Sequence, residues 1–140
     1  MEQLIEFAMN HWVLVTSFSL VAGLLIFNLS HSDKSAVGPS AATELINSRE
    51  AVVVDVRPAA DFNKGHIINA INIPSNGFAS QIGALNKYKD KPIIVSCRSG
   101  AQSSAACQHL KKAGFEEVFN LKGGILAWQS DNLPVTRKKK

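Results

Sequence analysis

The sequence predicts an α/β domain with a mainly parallel central sheet covered by helices, preceded by one membrane-spanning helix. Three observations carry this. Residues 51–56 and 93–96 are dominated by β-branched and aliphatic residues without polar alternation, Asp55 and Ser96 being the polar exceptions, the pattern of strands buried on both faces. Helical segments alternate with such strands along the chain, the order that builds a parallel sheet. Residues 12–29 form an uninterrupted run of 18 without Asp, Glu, Lys, Arg or His.

A chain of 140 residues, 46% hydrophobic, allows one domain with an appendage and is too apolar to be disordered throughout. Its 2 cysteines are too few for a disulfide scaffold. Residues 1–11 read as a short leader with Glu2 and Glu6 and no Lys or Arg. At about 1.5 Å per helical residue, residues 12–29 cover roughly 27 Å, close to the ~30 Å of a bilayer core. The hydroxyls of Thr16 and Ser17 are tolerable there because they can bond to helix carbonyls. A cleaved signal peptide fits less well, since it needs a basic residue ahead of a shorter apolar core. A buried soluble helix would carry a polar stripe. Trp12 sits where an interfacial aromatic residue would. Lys34 follows the run and no basic residue precedes it, so the positive-inside tendency places the N-terminus outside and the C-terminal domain in the cytoplasm. A reducing cytoplasm also agrees with a free thiol.

Residues 30–40 are rich in Ser, His, Gly and Pro and read as a linker. The domain spans residues 41–136. Ser40 can cap a helix over 41–48. The strand at 51–56 is stopped by Pro58, and 60–64 is a helical turn broken by Gly65. Residues 67–73 contain a short strand ended by Pro74. Helical spacing covers 78–85, and 87–91 is a charged loop. After the strand at 93–96, residues 103–113 form a helix with Ala106 and Leu110 on one face and Gly114 at its end. A strand at 118–121, a Gly123-Gly124 turn and a helix at 125–129 complete the domain. Residues 137–140 form a basic tail that accounts for the whole net charge of +4. The rest is nearly balanced, with no basic stripe or aromatic platform, which excludes nucleic acid as a partner. Near an anionic leaflet the tail would gain about 1 kcal/mol per basic residue.

The chemistry concentrates at Cys97, Arg98, Ser99, Gly100, Ala101 and Gln102, where a buried strand passes into a helix. Ligands of open α/β sheets bind outside the carboxyl ends of strands. A helix N-terminus offers unpaired N–H groups and about half a positive charge, and a loop curled there makes an anion cradle. Gly100 permits the positive φ of such a curl. A thiol held there has a lowered pKa and becomes the nucleophile. A lone cysteine after a strand is otherwise simply a small buried residue, but Arg98, Ser99 and Gly100 are poor choices for a core. Cys107, inside the helix, reads as packing. No cluster of His, Cys, Asp and Glu has metal-ligand spacing, and no cofactor is implied. His31 and His109 are isolated.

The loop Cys97-Arg98-Ser99-Gly100 resembles the active-site loop of rhodanese-domain sulfurtransferases. Asp55-Val56-Arg57 is similar to that family's motif after the first buried strand. Gly65-His66-Ile67 with Ala70 and Asn72-Ile73-Pro74 resembles its second signature, and Leu121-Lys122-Gly123-Gly124 with Trp128 its C-terminal one. The resemblance covers residues 41–135 in the right order, and an anchor before one such domain is similar to single-pass members of bacterial inner membranes.

The resemblance implies a three-layer rhodanese-like domain and a ping-pong reaction. Cys97 would take a sulfane sulfur from a donor such as thiosulfate and pass it, as a persulfide, to a thiol or protein acceptor. Arg98 would attract the anionic donor, the backbone from Arg98 through Ala101 to Gln102 would cradle the outer sulfur, and Ser99 would add a hydroxyl. Asp55 and Arg57 would support the loop, most simply as an ion pair at the sheet edge. His66 is expected in a hydrogen-bonded structural role and Trp128 as a core anchor. Family loops often carry Arg where this chain has Gln102, which keeps a donor and removes one charge. Rhodanese-like phosphatases have a longer loop, with Arg at the position held here by Ser103, so phosphatase chemistry is not expected. The alternative is a catalytically weak docking module for membrane-protein or redox machinery, motivated by the anchor and by Gln102.

Overall fold

The computed structural model describes residues 1–30 and 35–137. The chain divides into two compact units, Met1–Lys34 and Ser35–Lys140.

The first unit holds α1 (Glu2–Asn10) and α2 (Trp12–Ser30). The short leader expected at residues 1–11 is therefore helical over Glu2–Asn10. In α2 the hydroxyls of Thr16 and Ser17 donate to the carbonyls of Val13 and Leu14 at 3.1 and 3.0 Å, which satisfies them inside an apolar helix. Phe18, Leu20, Leu24, Ile26 and Phe27 are exposed. Among the described residues no helix is long and apolar enough to cross a membrane. The run at 12–29 thus lies in a helix, but a membrane span is not shown.

The second unit is a three-layer α/β domain. Its strands β1 (Ala36–Val37), β2 (Val52–Asp55), β4 (Ile71–Asn72), β5 (Ile93–Ser96) and β6 (Val118–Leu121) form one sheet in the order β1-β6-β5-β2-β4. Every pairing in it is parallel. A separate antiparallel pair joins β3 (His66–Ile67) to β7 (Val135–Thr136). The helices are α3 (Pro39–Arg49), α4 (Ala59–Lys64), α5 (Phe78–Gln81), α6 (Ser103–Lys112) and α7 (Gly124–Ser130), with a 3-10 helix at Ile82–Tyr88.

Successive side chains of a strand point to opposite faces, and the core divides accordingly. Val54, Ile93 and Val95 pack with Phe78, Leu85, Ala106 and Leu110 on one face. Val53, Ile94 and Leu121 pack with Ala42, Ile125 and Trp128 on the other. This two-sided burial is why both strands are apolar in sequence up to the polar residue, Asp55 or Ser96, at each carboxyl end. It also places β5 centrally, with two strands on each side.

Four local expectations change. The linker read over residues 30–40 falls partly on residues 31–34, which lie outside the described residues, as do residues 138–140 of the tail. Of the remainder, Ala36 and Val37 pair with Asn120 and Leu121 as an edge strand. Gly38, not Ser40, is the N-cap of α3, with Pro39 in its first turn, where its fixed φ and missing N–H are no disadvantage. The strand expected within 67–73 is two pieces in different sheets, β3 and β4. Asn69 between them takes a positive φ of 63°, which redirects the chain. The 3-10 helix extends into the charged segment read as a loop.

Leu110 is fully buried between α6 and the sheet. Leu110→Ala is expected to lose about 2–5 kcal/mol of stability, read as a lowered urea midpoint with an unchanged slope.

Candidate active site

Strand β5 ends at Ser96, Cys97 follows, and α6 begins at Ser103 with Gln102 as its N-cap. Cys97 is 0% exposed and borders the core. The N–H of Gly100 donates to its Sγ at 2.9 Å, and Ser103 Oγ lies 3.4 Å from the same sulfur. The curl requires φ of +97° at Gly100, a conformation glycine adopts without steric cost. Burial alone would push the Cys97 thiol up. The Ser103 hydroxyl and the backbone donors at Ser103, Gly100 and Ser99 outweigh it and hold the thiol below its ordinary value. These donors stabilise the anion, so the sulfur can ionise inside a buried environment. Arg98, Ser99, Ala101 and Gln102 are exposed, whereas Cys97 is not.

Helix α7 locks the base of the loop. The N–H of Ile125 donates to the Cys97 carbonyl at 2.8 Å and that of Leu126 to the Arg98 carbonyl at 3.3 Å. This approach is possible only because residue 124 is glycine. A Cβ there would collide with the Cys97 carbonyl oxygen and stand 2.6 Å from the Arg98 carbonyl, at a φ of +58°. A Cβ on Gly100 would in turn stand 3.3 Å from the Gly123 nitrogen. The glycine pair that reads in sequence as a turn is therefore a contact surface for the cysteine loop.

Asp55 and Arg57 form a buried ion pair at the end of β2. Arg57 Nη2 and Nε donate to Asp55 Oδ2 at 2.7 and 3.1 Å, and its backbone N–H donates to Oδ1 at 2.9 Å. Nη2 also donates to the Gly65 carbonyl at 2.8 Å, tying β2 to the end of α4. The strand end reaches the cysteine loop through its backbone, Val56 N–H to Ser96 carbonyl at 2.9 Å. Arg57 and Arg98 meet across a cleft of ≈ 360 Å³ that also includes Lys64, Asp61, Ile125 and Leu126. Arg57 is paired with Asp55 and Lys64 with Asp61, so Arg98 supplies the positive balance of this cleft beside the loop. Cys97 itself is not among its lining residues.

The remaining candidates lie apart from the sulfur. His66 Nδ1 faces the Phe62 carbonyl at 2.7 Å and the two rings stack at 3.7 Å. Because a carbonyl only accepts, Nδ1 carries the proton. Trp128 is buried and its indole N–H donates to the Pro134 carbonyl at 3.0 Å. The Cys107 thiol donates to the Phe119 carbonyl at 3.6 Å, on the far part of α6. Among the described residues no group of His, Cys, Asp and Glu could hold a metal. Two residues that sequence reasoning missed do reach the loop: Ser103, and Asn120 of β6, which bonds both Ser103 and Gly100. The one sequence signal for Asn120 is a polar residue inside an otherwise apolar strand.

Comparison with known proteins agrees with this geometry. Residues 38–131 match the family model of the rhodanese-like domain. The chain is 41% identical to "Uncharacterized protein YibN" of Escherichia coli K12, over 99% of this chain and 100% of that protein. It is 35% identical to "Thiosulfate sulfurtransferase GlpE" of Shewanella oneidensis, over 64% of this chain and 86% of that one. A crystal structure of a rhodanese-related protein from Thermoplasma volcanium superposes with a TM-score of 0.67 at 29% identity, covering 74% of this chain and 98% of that one.

Two outcomes follow from the loop. Gly124→Ala should cost about 2–4 kcal/mol, because backbone must separate from backbone and a side chain is forced to positive φ. Gly83→Ala, where a Cβ meets nothing within 4 Å, is the control and should stay near wild type in the same urea melt. The second concerns pH. A lowered thiol pKa keeps the thiolate at pH values where an ordinary cysteine, near 8.5, is protonated, and loses it only as pH falls through the lowered midpoint. The thiolate absorbance that Cys97→Ser removes should therefore titrate with a midpoint below that of an ordinary cysteine.

Proposed function

Because the chain belongs to the rhodanese-like domain family, we propose that it is a sulfurtransferase working through a persulfide on Cys97. The observation that carries this reading is the Gly100 N–H aimed at the Cys97 sulfur at 2.9 Å, with Ser103 beside it. A site built to hold a sulfur anion suits a nucleophile, whereas a packing cysteine needs no such donors.

The reaction proceeds in two displacements. The Cys97 thiolate attacks the outer sulfur of thiosulfate, the donor's S–S bond breaks, and sulfite departs with the bonding pair. The new Cys97 persulfide carries its charge on the outer sulfur, held by the amides of the loop. A thiolate acceptor then attacks that outer sulfur and releases Cys97 as thiolate. Arg57, Lys64 and Arg98 line the adjacent cleft and favour an anionic donor. Uptake requires the exposed residues 98, 99, 101 and 102 to part, because the sulfur is covered in the closed loop. Asp55 and Arg57 support the loop through the β2 backbone and do not touch the reacting sulfur.

The domain works tethered to a bacterial inner membrane, N-terminus outside and domain in the cytoplasm. Support for this comes from residues 12–29, which carry no ionisable side chain, and from the asymmetric placement of Lys34. The membrane, a small anionic donor and a thiol or protein acceptor are its partners. A docking role for membrane-protein or redox machinery is the second reading, favoured by the complete burial of Cys97. Capture of a neighbour by cross-linking, unaffected by Cys97→Ser, would support it.

Incubation with thiosulfate should add about 32 Da, one sulfur, to the intact protein under this covalent scheme. Cys97→Ser should abolish the adduct and Cys107→Ser should keep it. A wild type that gains no sulfur from any sulfane donor overturns the enzymatic reading. For the anchor, the full chain should stay in membranes through an alkaline carbonate wash, while a chain starting at Ser35 should be released. Release of the full chain overturns the tether.

A further inference from the structure

Ser103 opens α6 with 0% exposure, and Asn120 sits within β6 at 8%. Their side chains meet behind the cysteine loop. Ser103 Oγ lies 2.5 Å from Asn120 Oδ1, 3.1 Å from the Gly100 carbonyl and 3.4 Å from Cys97 Sγ. Asn120 Nδ2 donates to that same Gly100 carbonyl at 3.1 Å. A carbonyl only accepts, so the amide orientation is fixed, with Nδ2 on Gly100 and Oδ1 on Ser103. Oδ1 also only accepts, so Ser103 is the donor between them.

A hydroxyl has one hydrogen, and here three acceptors surround it. While it rests on Asn120, Ser103 offers the sulfur a lone pair, which suits a thiol S–H. Once the sulfur has lost its proton, the acceptor at 3.4 Å is an anion, and a bond to an anion is stronger than one to a neutral amide. Meanwhile Asn120 Nδ2 keeps the Gly100 carbonyl, fixing that residue at positive φ so that its N–H stays on the sulfur.

We infer that Ser103 and Asn120 are positioning residues, in which Asn120 holds Gly100 from behind and the Ser103 hydroxyl turns from Asn120 to the sulfur when Cys97 ionises. The sulfur's proton leaves to solvent, and the hydroxyl keeps its own, changing only its acceptor. The same rotation accompanies each return of Cys97 to the thiolate during transfer. This rests on the reading of Cys97 as nucleophile.

The test is a thiolate absorbance titration of the full chain, which needs no sulfur donor. It therefore stays readable if persulfide formation fails, and persulfide formation stays readable if the titration does not respond. Ser103→Ala removes the turning donor. Asn120→Asp keeps an acceptor for Ser103 but loses the donor to Gly100 and adds a like charge. Each should raise the titration midpoint, cutting the thiolate fraction below it about tenfold, as expected for loss of a hydrogen bond to an anion. Ser103→Thr, which keeps the hydroxyl, should restore the wild-type midpoint. A purely structural role would lower the melting temperature and leave the Ser103→Ala midpoint in place, so a folded Ser103→Ala protein with an unmoved midpoint overturns the inference, as does a folded Asn120→Asp protein whose midpoint stays in place despite the added charge. In the unaltered protein, the Asn120 side-chain amide resonances should shift with the same midpoint as the thiolate. Resonances that ignore that titration overturn the inference without any variant.

Discussion

The hydrogen bond from Gly100 N–H to Cys97 Sγ is the interaction on which the rest of the candidate site depends. An ion in a fully covered position is costly, because the interior solvates it poorly. The cost is offset only where donors are already in place and need not be reorganised as charge develops. At Cys97 the Gly100 amide is in place at 2.9 Å with further backbone donors around it, and the Ser103 hydroxyl at 3.4 Å has only to rotate about its own C–O bond. The loop is thus both the cover and the solvent of the sulfur.

Keeping those donors fixed is a problem of backbone placement, and the fold addresses it from three directions. Strand β5 is central, paired on both sides, so the point at which the loop begins is held by two ladders. Helix α7 grips the carbonyls of Cys97 and Arg98, an approach that any side chain at residue 124 would block. From β6, Asn120 holds Gly100 by its carbonyl, and Ser103 at the start of α6 bonds to Asn120. Each constraint acts on main-chain atoms, which leaves the side chains of residues 98, 99, 101 and 102 exposed.

The ion pair of Asp55 and Arg57 illustrates how a residue at a strand's carboxyl end can serve a site without touching it. A buried pair of this kind is weak evidence for net stability, yet here it fixes a direction. Arg57 bridges Asp55 and the Gly65 carbonyl, so the wall of the cleft beside the loop is rigid where a cation faces it. The side chain that looked in sequence like a loop support is thereby also part of the cleft.

Much of this was legible from the residues alone, and for a definable reason. Strands β2 and β5, the helical character of 103–112, the cysteine loop with its glycine, and the uncharged run at 12–29 are set by local composition and periodicity, which neighbouring residues determine among themselves. Two-residue strands such as β1, β3 and β7 leave no periodic trace, because their existence depends on a partner far along the chain. The same holds at the site. Ser103 and Asn120 are 17 positions apart and belong to a helix start and a mid-strand position that nothing local connects. Gly124 reads as a turn until α7 is brought against Cys97. The sequence by itself determined which atom can be the nucleophile and what kind of loop surrounds it. Only the tertiary structure decided which distant groups aim at that atom, because hydrogen-bond direction and backbone approach are properties of packed elements and not of chain order.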